Sequence, residues 1–322
     1  MSQHPTPVFI VGSGRSGTTV TASLLNLLPG IQISKETGYI GPNHKLLLSN
    51  PTIDQLALLI PEVNTWLAKD EWENQATDEG FRSFCDRYGV QGGSAFVHYV
   101  WQLDSAIPWH ELNGIGDNTP LYVMAIPAIR QLMPNARFIH MIRDPRDVVC
   151  SILKMRFGAD ELTTAAMEWH IYLGCWLMAE RIVPAEQRME CRYEDLCKDP
   201  AGTFSRIAKF IGRSDDDAAA ALALHASGGK QVKTGFEKIA KWSHHTRIYE
   251  PLSASRIGRY KSELSKKQIQ VVEEIAQYGM AAYGYSVSDW HVHPLMREDR
   301  FQLLKAMIRD FTNRCMKRIR GR

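Results

Sequence analysis

Residues 8–19 read Val-Phe-Ile-Val-Gly-Ser-Gly-Arg-Ser-Gly-Thr-Thr. An apolar run that ends in a glycine-rich turn predicts a buried strand, followed by a phosphate-binding loop and a helix. Glycine lets the backbone turn tightly and approach an anion closely. The N–H groups of such a turn and the positive end of the next helix both attract negative charge. The stretch therefore predicts an α/β protein with an anion site at the end of its first strand.

The loop departs from the GxxxxGK[ST] pattern of nucleoside triphosphatases. If Gly12 and Gly17 were the two glycines of that pattern, a lysine would follow, yet the next residue is Thr18. The cation of the loop is instead Arg15, three residues before Thr18. Because the missing lysine serves γ-phosphoryl transfer, the loop predicts phosphate binding coupled to a different reaction.

The composition is that of an ordinary globular protein. The 322-residue chain is 44% apolar and 23% charged, with a net charge of +3. It can bury a sizeable core, and its charge gives no reason to expect nucleic acid as a partner. The six cysteines form no CxxC pair, which favours reduced thiols over a disulfide framework. We find neither a secretory signal nor an apolar run of ~20 residues, so we expect a cytoplasmic protein.

Candidate strands and helices alternate along the chain. The strand candidates are residues 7–12, 31–34, 136–142 and 188–193, and the helix candidates are 17–28, 161–182, 200–212 and 263–282. This alternation predicts a parallel sheet flanked by helices and joined by right-handed crossovers. We expect a single domain over residues 1–290. Within it, residues 43–110 are predicted to form a helical insertion that binds the acceptor, that is, the substrate that receives a transferred group.

Two further helix starts can be read from capping residues. Thr119-Pro120 predicts an N-cap followed by proline at the first helical position. Asp144-Pro145 predicts the same arrangement after the candidate strand at 136–142. The second start would place a polar side chain close to the end of that strand.

Four polar segments lie at or just beyond the ends of candidate strands. They are the loop around Arg15, Lys35-Glu36-Thr37, Arg143 with Ser151 eight residues later, and Arg192-Tyr193-Glu194-Asp195. In open α/β sheets, ligands bind at the carboxyl edge of the strands. The four segments therefore predict one shared ligand site.

In the same order, these segments resemble the nucleotide-binding motifs of sulfotransferases that use 3′-phosphoadenosine 5′-phosphosulfate (PAPS). Residues 15–19, Arg-Ser-Gly-Thr-Thr, are similar to the loop that binds the 5′-phosphosulfate. Residues 143–151, with Arg first and Ser last, are similar to the motif that binds the 3′-phosphate. Residues 192–196 resemble the segment that places an aromatic ring on the adenine, and residues 257–260 resemble a late loop that closes over the nucleotide. The resemblance covers residues 5–285.

The resemblance implies a P-loop-like core that transfers a sulfuryl group from PAPS to a hydroxyl or amine acceptor. The product would be 3′-phosphoadenosine 5′-phosphate (PAP), and no metal would be needed. The residues implied for nucleotide binding are Gly14, Arg15, Ser16, Gly17, Thr18, Thr19, Arg143, Ser151, Tyr193, Gly258 and Arg259. The finer match is to the tyrosylprotein- and carbohydrate-sulfotransferase branch. It implies Glu36 as the catalytic base and Arg15 as the residue that stabilises the leaving phosphate.

One position departs from that family. Relatives often carry lysine before the Ser/Thr/Asp-Pro pair, whereas Asn118 precedes Thr119-Pro120 here. Lys35 or another group supplies the missing charge, or the site works with fewer cations. Two alternatives to sulfuryl transfer stay open: a P-loop kinase, against which Thr18 argues, and a non-catalytic module that binds PAP.

The sequence does not identify the acceptor, which we expect to be a small molecule, a carbohydrate, a lipid or a peptide. Four tryptophans, Trp66, Trp72, Trp101 and Trp109, either stack on a sugar or an aromatic ring or belong to the core. A homodimer is left open.

Residues 291–322 are predicted to form a basic amphipathic helix. Residues 296–322 contain nine Lys or Arg against three acidic residues, with apolar residues at helical spacing. The helix either packs on the domain or lies on the anionic inner surface of a membrane.

Overall fold

Five parallel strands form one sheet in the part of the chain that this computed structural model describes, which is residues 4–69, 72, 74–155, 162–227 and 250–288. The strands are β1 (Thr6–Gly12), β2 (Ile31–Ser34), β3 (Gly114–Asp117), β4 (Arg137–Ile142) and β5 (Arg188–Arg192). Their order is β2-β3-β1-β4-β5, and every neighbouring pair is parallel. The predicted parallel sheet flanked by helices is confirmed.

The carboxyl ends of the strands meet at one edge of the sheet. Gly12, the last residue of β1, lies opposite Met141 of β4. Ser34, the last residue of β2, lies opposite Asp117, the last residue of β3. Because all the strands run in the same direction, the loops that leave them emerge side by side along this edge.

The sequence does not predict β3, whose residues read Gly-Ile-Gly-Asp. Glycine and aspartate are depleted in strands, but β3 is buried and pairs with both β1 and β2. Gly116 is needed there because a Cβ at this position would lie 1.7 Å from the carbonyl oxygen of Val8. Pairing with distant strands, rather than local pattern, forms this element.

Helices flank the sheet and fill its connections. They are α1 (Thr18–Leu25), α2 (Ile40–Leu48), α3 (Ile53–Ala57), α4 (Ile60–Lys69), α5 (Asp78–Tyr88), α6 (Gly92–Gln102), α7 (Ile126–Leu132), α8 (Pro145–Ile152), α9 (Leu162–Ala179), α10 (Tyr193–Lys198), α11 (Pro200–Phe210), α12 (Asp215–Ala226), α13 (Tyr260–Glu263) and α14 (Lys266–Ala282). Short 3-10 turns occur at Trp109–Glu111, Pro120–Ala125, Ala185–Gln187 and Ala254–Arg256. Helices α2 to α6 lie within or next to the predicted helical insertion. Within the described ranges, no helix has both the length and the apolar character needed to span a bilayer.

The two predicted N-caps have different outcomes. Asp144 caps α8 as predicted, because its carboxylate accepts a hydrogen bond from the N–H of Arg146 and Pro145 follows it. Thr119 occupies the predicted N-cap position and Pro120 follows it, but the element is a 3-10 turn and the Thr119 side chain forms no capping hydrogen bond. Its Oγ1 instead accepts a hydrogen bond of 3.0 Å from the N–H of Thr37, a residue 82 positions away.

The described residues belong to two compact units, Met1–Arg143 with Trp176–Ser255 and Asp144–Cys175 with Arg256–Arg322. In the first unit, alternate side chains of β1 enter different packing layers. Val8 and Ile10 pack in an apolar core with residues of α1, α11 and α12. Phe9 stacks on Phe138 with the ring centroids 5.5 Å apart and contacts the Trp101 ring at 5.3 Å.

Arg146 organises the second unit from the first turn of α8. Its guanidinium group forms two hydrogen bonds with Asp144, of 2.9 and 2.6 Å, and an ion pair of 2.5 Å with Glu273 of α14. The guanidinium carbon also lies 4.1 Å from the centre of the Tyr260 ring. Two carboxylates share this one guanidinium group, and its contacts join α8, α13 and α14.

The predicted C-terminal helix at 291–322 lies outside the described residues. The domain boundary at residue 290 therefore stays a prediction. So does the acceptor-binding role of residues 43–110.

Candidate active site

The loop between β1 and α1 has the backbone of an anion cradle. Gly12 and Gly17 have φ values of 142° and 97°, which favour glycine. Arg15 also has a positive φ, 69°, which is uncommon for a residue with a side chain. Non-glycine residues persist in this conformation where surrounding structure holds them, and functional sites are common places for it.

The same loop contains hydrogen-bonding groups that suit an anion. Gly17 is the N-cap of α1 and provides no side-chain hydrogen bond to the first turn. Ser16 is fully buried, and none of the hydrogen bonds between described residues reaches its hydroxyl oxygen. A buried hydroxyl and the first N–H groups of a helix are the donors that bind a phosphate or a sulfuryl group. The residues present therefore fit the phosphosulfate end of PAPS.

Arg143 and Tyr193 lie beside this loop, at the ends of β4 and β5. Nη1 of Arg143 donates a hydrogen bond of 3.2 Å to the carbonyl oxygen of Arg15. The guanidinium carbon lies 4.3 Å from the centre of the Tyr193 ring. A Cβ at Gly17 would lie only 2.5 Å from the same ring. The structure thus brings together Arg15, Gly17, Arg143 and Tyr193, four of the residues predicted to bind nucleotide.

Glu36 has an exposed side chain between two buried neighbours at the end of β2. On one side, Lys35 forms an ion pair of 3.6 Å with Asp104, and its Nζ lies 5.6 Å from the centre of the Trp72 ring. On the other side, Thr37 is buried. The proposed replacement of the family lysine by Lys35 stays a prediction, as does a site that works with fewer cations.

Asp117, at the end of β3, is the centre of a buried hydrogen-bond network. Its Oδ2 accepts hydrogen bonds from the Thr37 hydroxyl at 2.5 Å and from the Trp101 indole N–H at 3.1 Å. Its Oδ1 accepts from the N–H of Thr119 at 2.7 Å. The Tyr122 hydroxyl lies 2.8 Å from the Thr37 hydroxyl. Burial raises the pKa of Asp117 to about 6, although the hydrogen bonds from Thr119, Thr37 and Trp101 act in the opposite direction.

Asn118 follows Asp117 at the position where related enzymes often carry lysine. The side chain is buried, and its Oδ1 receives no hydrogen bond from the residues that the structure describes. Asn118 offers no charge. Among the described residues of the first unit, Arg15 belongs to the phosphate loop and Arg143 contacts it.

Of the other predicted nucleotide-binding residues, Gly14 lies in the phosphate loop and Thr18 and Thr19 begin α1. The remaining three, Ser151, Gly258 and Arg259, belong to the second unit. Ser151 lies in the last turn of α8. Gly258 and Arg259 lie just before α13, and Arg259 forms an ion pair of 2.6 Å with Glu263. These residues stay predicted ligand contacts.

Asp147 holds the loop that contains Gly258 and Arg259. Its carboxylate accepts hydrogen bonds from the N–H of Gly258 at 2.7 Å and from the N–H of Tyr260 at 3.0 Å. From sequence, Asp147 is simply an acidic residue in the first turn of α8, where it would favour the helix dipole. The structure adds an anchoring role that no local pattern could predict, because the two segments are more than 100 residues apart.

The four tryptophans divide into two groups. Trp72, Trp101 and Trp109 are buried, which supports the core interpretation for them. Trp66 is partly exposed, and its ring would lie about 3.6 Å from a Cβ at Gly38, two residues after Glu36. Trp66 is thus the candidate among them for contact with an acceptor.

Comparisons with known proteins agree with this geometry. A model of the sulfotransferase family matches residues 7–217, which span the sheet from β1 to β5. The 3-alpha-hydroxysteroid sulfotransferase of Cavia porcellus is 26% identical over 228 residues, or 62% of this chain and 78% of that protein. Protein-tyrosine sulfotransferase 2 of Gallus gallus is 21% identical over 315 residues, or 93% of this chain and 76% of that protein.

For other relatives, the match covers only part of the relative's length. The match covers 64% of a relative from Caenorhabditis briggsae and 32% of a protein from Aquifex aeolicus. The chain therefore spans less than two thirds of these relatives.

Among solved structures, the fold is similar to the sulfotransferase domain of the Synechococcus PCC 7002 olefin synthase. The TM-score is 0.56 at 20% identity, and the match covers 89% of this chain and 97% of that domain. The sulfotransferase domain from the curacin biosynthetic pathway matches with a TM-score of 0.51 at 16% identity, and the match covers 89% of this chain and 100% of that domain. At these identities, the likeness shows the shared fold alone.

Proposed function

Because this chain belongs to the sulfotransferase family, we propose that it is an enzyme that transfers a sulfuryl group from PAPS to a hydroxyl or amine acceptor. The observation that carries the proposal is the loop at 12–19, with its strained Arg15 and the buried hydroxyl of Ser16, which has no hydrogen-bond partner among the described residues. The loop provides donors for an anion and lacks the lysine of a γ-phosphoryl transferase.

Arg15 acts on the leaving phosphate. During sulfuryl transfer, negative charge builds on the 5′-phosphate and spreads over the sulfuryl oxygens, so catalysis depends on positioning and on fixed positive charge. A guanidinium group can form two parallel hydrogen bonds with a phosphate. Ser16, Gly17, Thr18 and Thr19 add backbone N–H and hydroxyl donors to the same oxygens.

Glu36 acts as the general base. Its carboxylate takes the proton of the acceptor hydroxyl or amine as that group attacks the sulfur. The exposed side chain at the carboxyl edge of the sheet supports this role.

Arg143 and Ser151 hold the 3′-phosphate, the group that distinguishes PAPS from ATP. Tyr193 provides a ring for the adenine, and its contact with the Arg143 guanidinium group supports a shared role. Gly258 and Arg259 contribute from the loop that Asp147 anchors.

The acceptor is proposed only as a class, because the names of the relatives point to different ones. The Cavia porcellus relative is named for a hydroxysteroid and the Gallus gallus relative for protein tyrosine. A hydroxyl group is common to both. We propose that Trp66 and the helices α2 to α6 shape the acceptor pocket.

Thermal-shift titration with PAP, ATP–Mg and adenosine 5′-phosphosulfate tests the proposed donor. We expect PAP to raise the melting temperature, with a much smaller effect of the other two, because only PAP carries a 3′-phosphate. Stabilisation by ATP–Mg alone would favour a P-loop kinase. Binding of PAP without transfer of sulfuryl to any acceptor would favour a non-catalytic module.

The cytoplasmic location and the role of residues 296–322 stay predictions from the sequence. Co-sedimentation with anionic lipid vesicles at low and high salt tests the membrane alternative, because surface attraction of Lys and Arg is screened by salt. Release from the vesicles after deletion of 296–322, with PAP binding intact, is the expected result if the segment contacts a membrane.

A further inference from the structure

The segment that carries Glu36 is fixed on both sides by buried polar groups. Lys35 pairs with Asp104, and Thr37 forms hydrogen bonds through both its backbone and its side chain. Glu36, between them, is exposed. A base that must meet an acceptor proton within hydrogen-bond distance needs such support, because small displacements reduce proton transfer strongly.

Several hydrogen bonds connect Thr37 and Gly38 to Asp117 and to the turn that follows it. The Thr37 hydroxyl donates to Asp117 at 2.5 Å and lies 2.8 Å from the Tyr122 hydroxyl. The N–H groups of Thr37 and Gly38 both donate to Thr119 Oγ1, at 3.0 and 3.3 Å. The segment is thus held by residues of β3 and the turn after it.

The Tyr122 hydroxyl extends the network to the next helix. It accepts a hydrogen bond of 3.2 Å from the N–H of Ile40, the first residue of α2. Therefore both ends of the short stretch from Thr37 to Ile40 are tied to the β3 side of the sheet.

Resting on the proposed function, we propose that Asp117 is a positioning residue for proton transfer, which acts through the Thr37 hydroxyl to hold Glu36 in place. Asp117 forms no ion pair with any described residue, and its partners are the Thr37 hydroxyl, the Trp101 indole and the Thr119 N–H. A buried carboxylate without a cation is costly for folding, so its presence at this edge of the sheet calls for a function.

The charge state of Asp117 decides whether its hydrogen bonds with Thr37, Trp101 and Thr119 are all formed. The ionised carboxylate accepts all three hydrogen bonds, whereas a protonated one has lost acceptor capacity. The titratable side chains that face Asp117 among the described residues are Tyr122 and Tyr39. Burial raises the pKa values of both well above their usual range, so both stay neutral. Because burial raises the pKa of Asp117 to about 6, half of the Asp117 carboxyl groups are protonated near pH 6. The hold on Thr37 is therefore complete at higher pH and weakens as the pH falls through 6.

The test compares Thr37→Val with Thr37→Ser, and uses Thr203→Val as a matched control. Thr203 is an equally buried threonine in α11, outside the network. We expect Thr37→Val to lower kcat by about 10- to 100-fold, which is the effect of a small misplacement of a catalytic group, with PAP affinity unchanged. Thr37→Ser keeps the hydroxyl and should recover most of the loss. Thr203→Val should match the wild type.

The pH profile of kcat separates positioning from a purely structural role. In the wild type, kcat should fall as the pH drops through about 6. In Asp117→Asn this fall should occur at lower pH, because one of the groups that must be ionised has been removed. Hydrogen exchange provides a readout that does not depend on activity. The amides of Thr37, Gly38 and Ile40 should exchange faster in Thr37→Val than in Thr203→Val.

The possible failures are distinguishable. A wild-type protein that binds no PAP and transfers no sulfuryl group overturns the proposed function and, with it, the role of Asp117. An active wild type combined with normal kcat in Thr37→Val overturns the positioning role alone. A fall in kcat that occurs at the same pH in Asp117→Asn as in the wild type also overturns it, whatever happens to stability.

Discussion

At the scale of the residue, one arginine separates this phosphate loop from that of a kinase. Arg15 is three residues earlier than the lysine of the triphosphatase pattern. It also has a left-handed backbone conformation, with φ at 69°. The side chain therefore leaves the loop from a position that an ordinary helical start would not provide.

Removing the carboxylate of Glu36 should affect chemistry and not nucleotide binding. In Glu36→Gln, kcat should fall by about 100-fold or more, which is the usual contribution of a general base, with PAP affinity nearly constant. Arg15→Ala should lower both kcat and PAP affinity, because the proposed role of its guanidinium group is to bind the 5′-phosphate of the nucleotide. Steady-state kinetics with calorimetric titration of PAP separates the two effects. Full turnover in Glu36→Gln would move the base to another residue.

Removing the proposed 3′-phosphate ligands should weaken PAP binding. Arg143→Ala should reduce the binding free energy by about 2–4 kcal/mol, because a charged hydrogen-bond partner is lost. Ser151→Ala should have a smaller effect, since its hydroxyl is neutral. Arg82→Ala is the control, because Arg82 is exposed on α5 and pairs with Asp54 and Asp78. If isothermal titration gives the same PAP affinity for all three variants, the 3′-phosphate assignment is wrong.

At the scale of the element, sequence pattern predicts what local interactions determine. Strand β1 contains the apolar run Val8–Val11, and four of the six residues of β4 are apolar, so both strands were predictable. Helix α8 was predictable because Asp144 and Pro145 act within one turn. Strand β3 was not, because its stability comes from pairing with β1 and β2. The role of the Thr119 hydroxyl could not be predicted for the same reason. It accepts a hydrogen bond from Thr37, which is 82 positions away.

The phosphate loop should not tolerate a side chain at Gly17. In Gly17→Ala, the new Cβ would lie 2.5 Å from Cδ2 of Tyr193, at a φ of 97°. We expect a loss of about 1–3 kcal/mol in the free energy of unfolding and a large loss of PAP affinity. Thermal melts with PAP titration measure both.

Gly174→Ala in α9 is the control for this substitution. A Cβ at Gly174 meets no atom within 4 Å, and alanine favours helix over glycine by about 1 kcal/mol. Gly174→Ala should therefore keep PAP affinity and keep or slightly raise the melting temperature. PAP binding by Gly17→Ala with wild-type affinity would contradict the loop geometry.

His98, which lies in helix α6, should make the free energy of unfolding depend on pH. Burial, with a smaller contribution from His4, lowers the pKa of His98 to about 3, and its ring packs 5.2 Å from that of Trp109. The unfolded chain therefore binds a proton near pH 6.5 that the folded chain does not accept. Stability from this group is complete above pH 6.5 and is lost as the pH falls, by about 2 kcal/mol at pH 5.

Replacing His98 should reduce that acid sensitivity. The fall in melting temperature between pH 7.5 and pH 5 should be smaller in His98→Phe than in the wild type. His110→Phe is the control, because the His110 side chain is exposed. Equal falls in the wild type and His98→Phe would show that folding does not lower the pKa of His98.

At the scale of the whole molecule, the sheet edge gathers residues that the sequence could only place in separate loops. Their motif order predicted a shared site, and the structure brings Arg15, Gly17, Arg143 and Tyr193 together. The contact between Thr37 and Asp117 could not be predicted, because it joins residues 80 positions apart through β2 and β3. Motifs identify the residues that bind a ligand, whereas topology alone reveals the residues that support them.

The most direct test of sulfuryl transfer is incubation of the purified chain with PAPS labelled in its sulfuryl group, together with phenolic, steroid, carbohydrate and tyrosyl-peptide acceptors. The account predicts a labelled product in at least one acceptor class, formed with equimolar PAP. The label should be almost absent with Glu36→Gln. Tight binding of PAP without a labelled product from any acceptor class or from a host extract, or labelling that is equal in the wild type and Glu36→Gln, would contradict it.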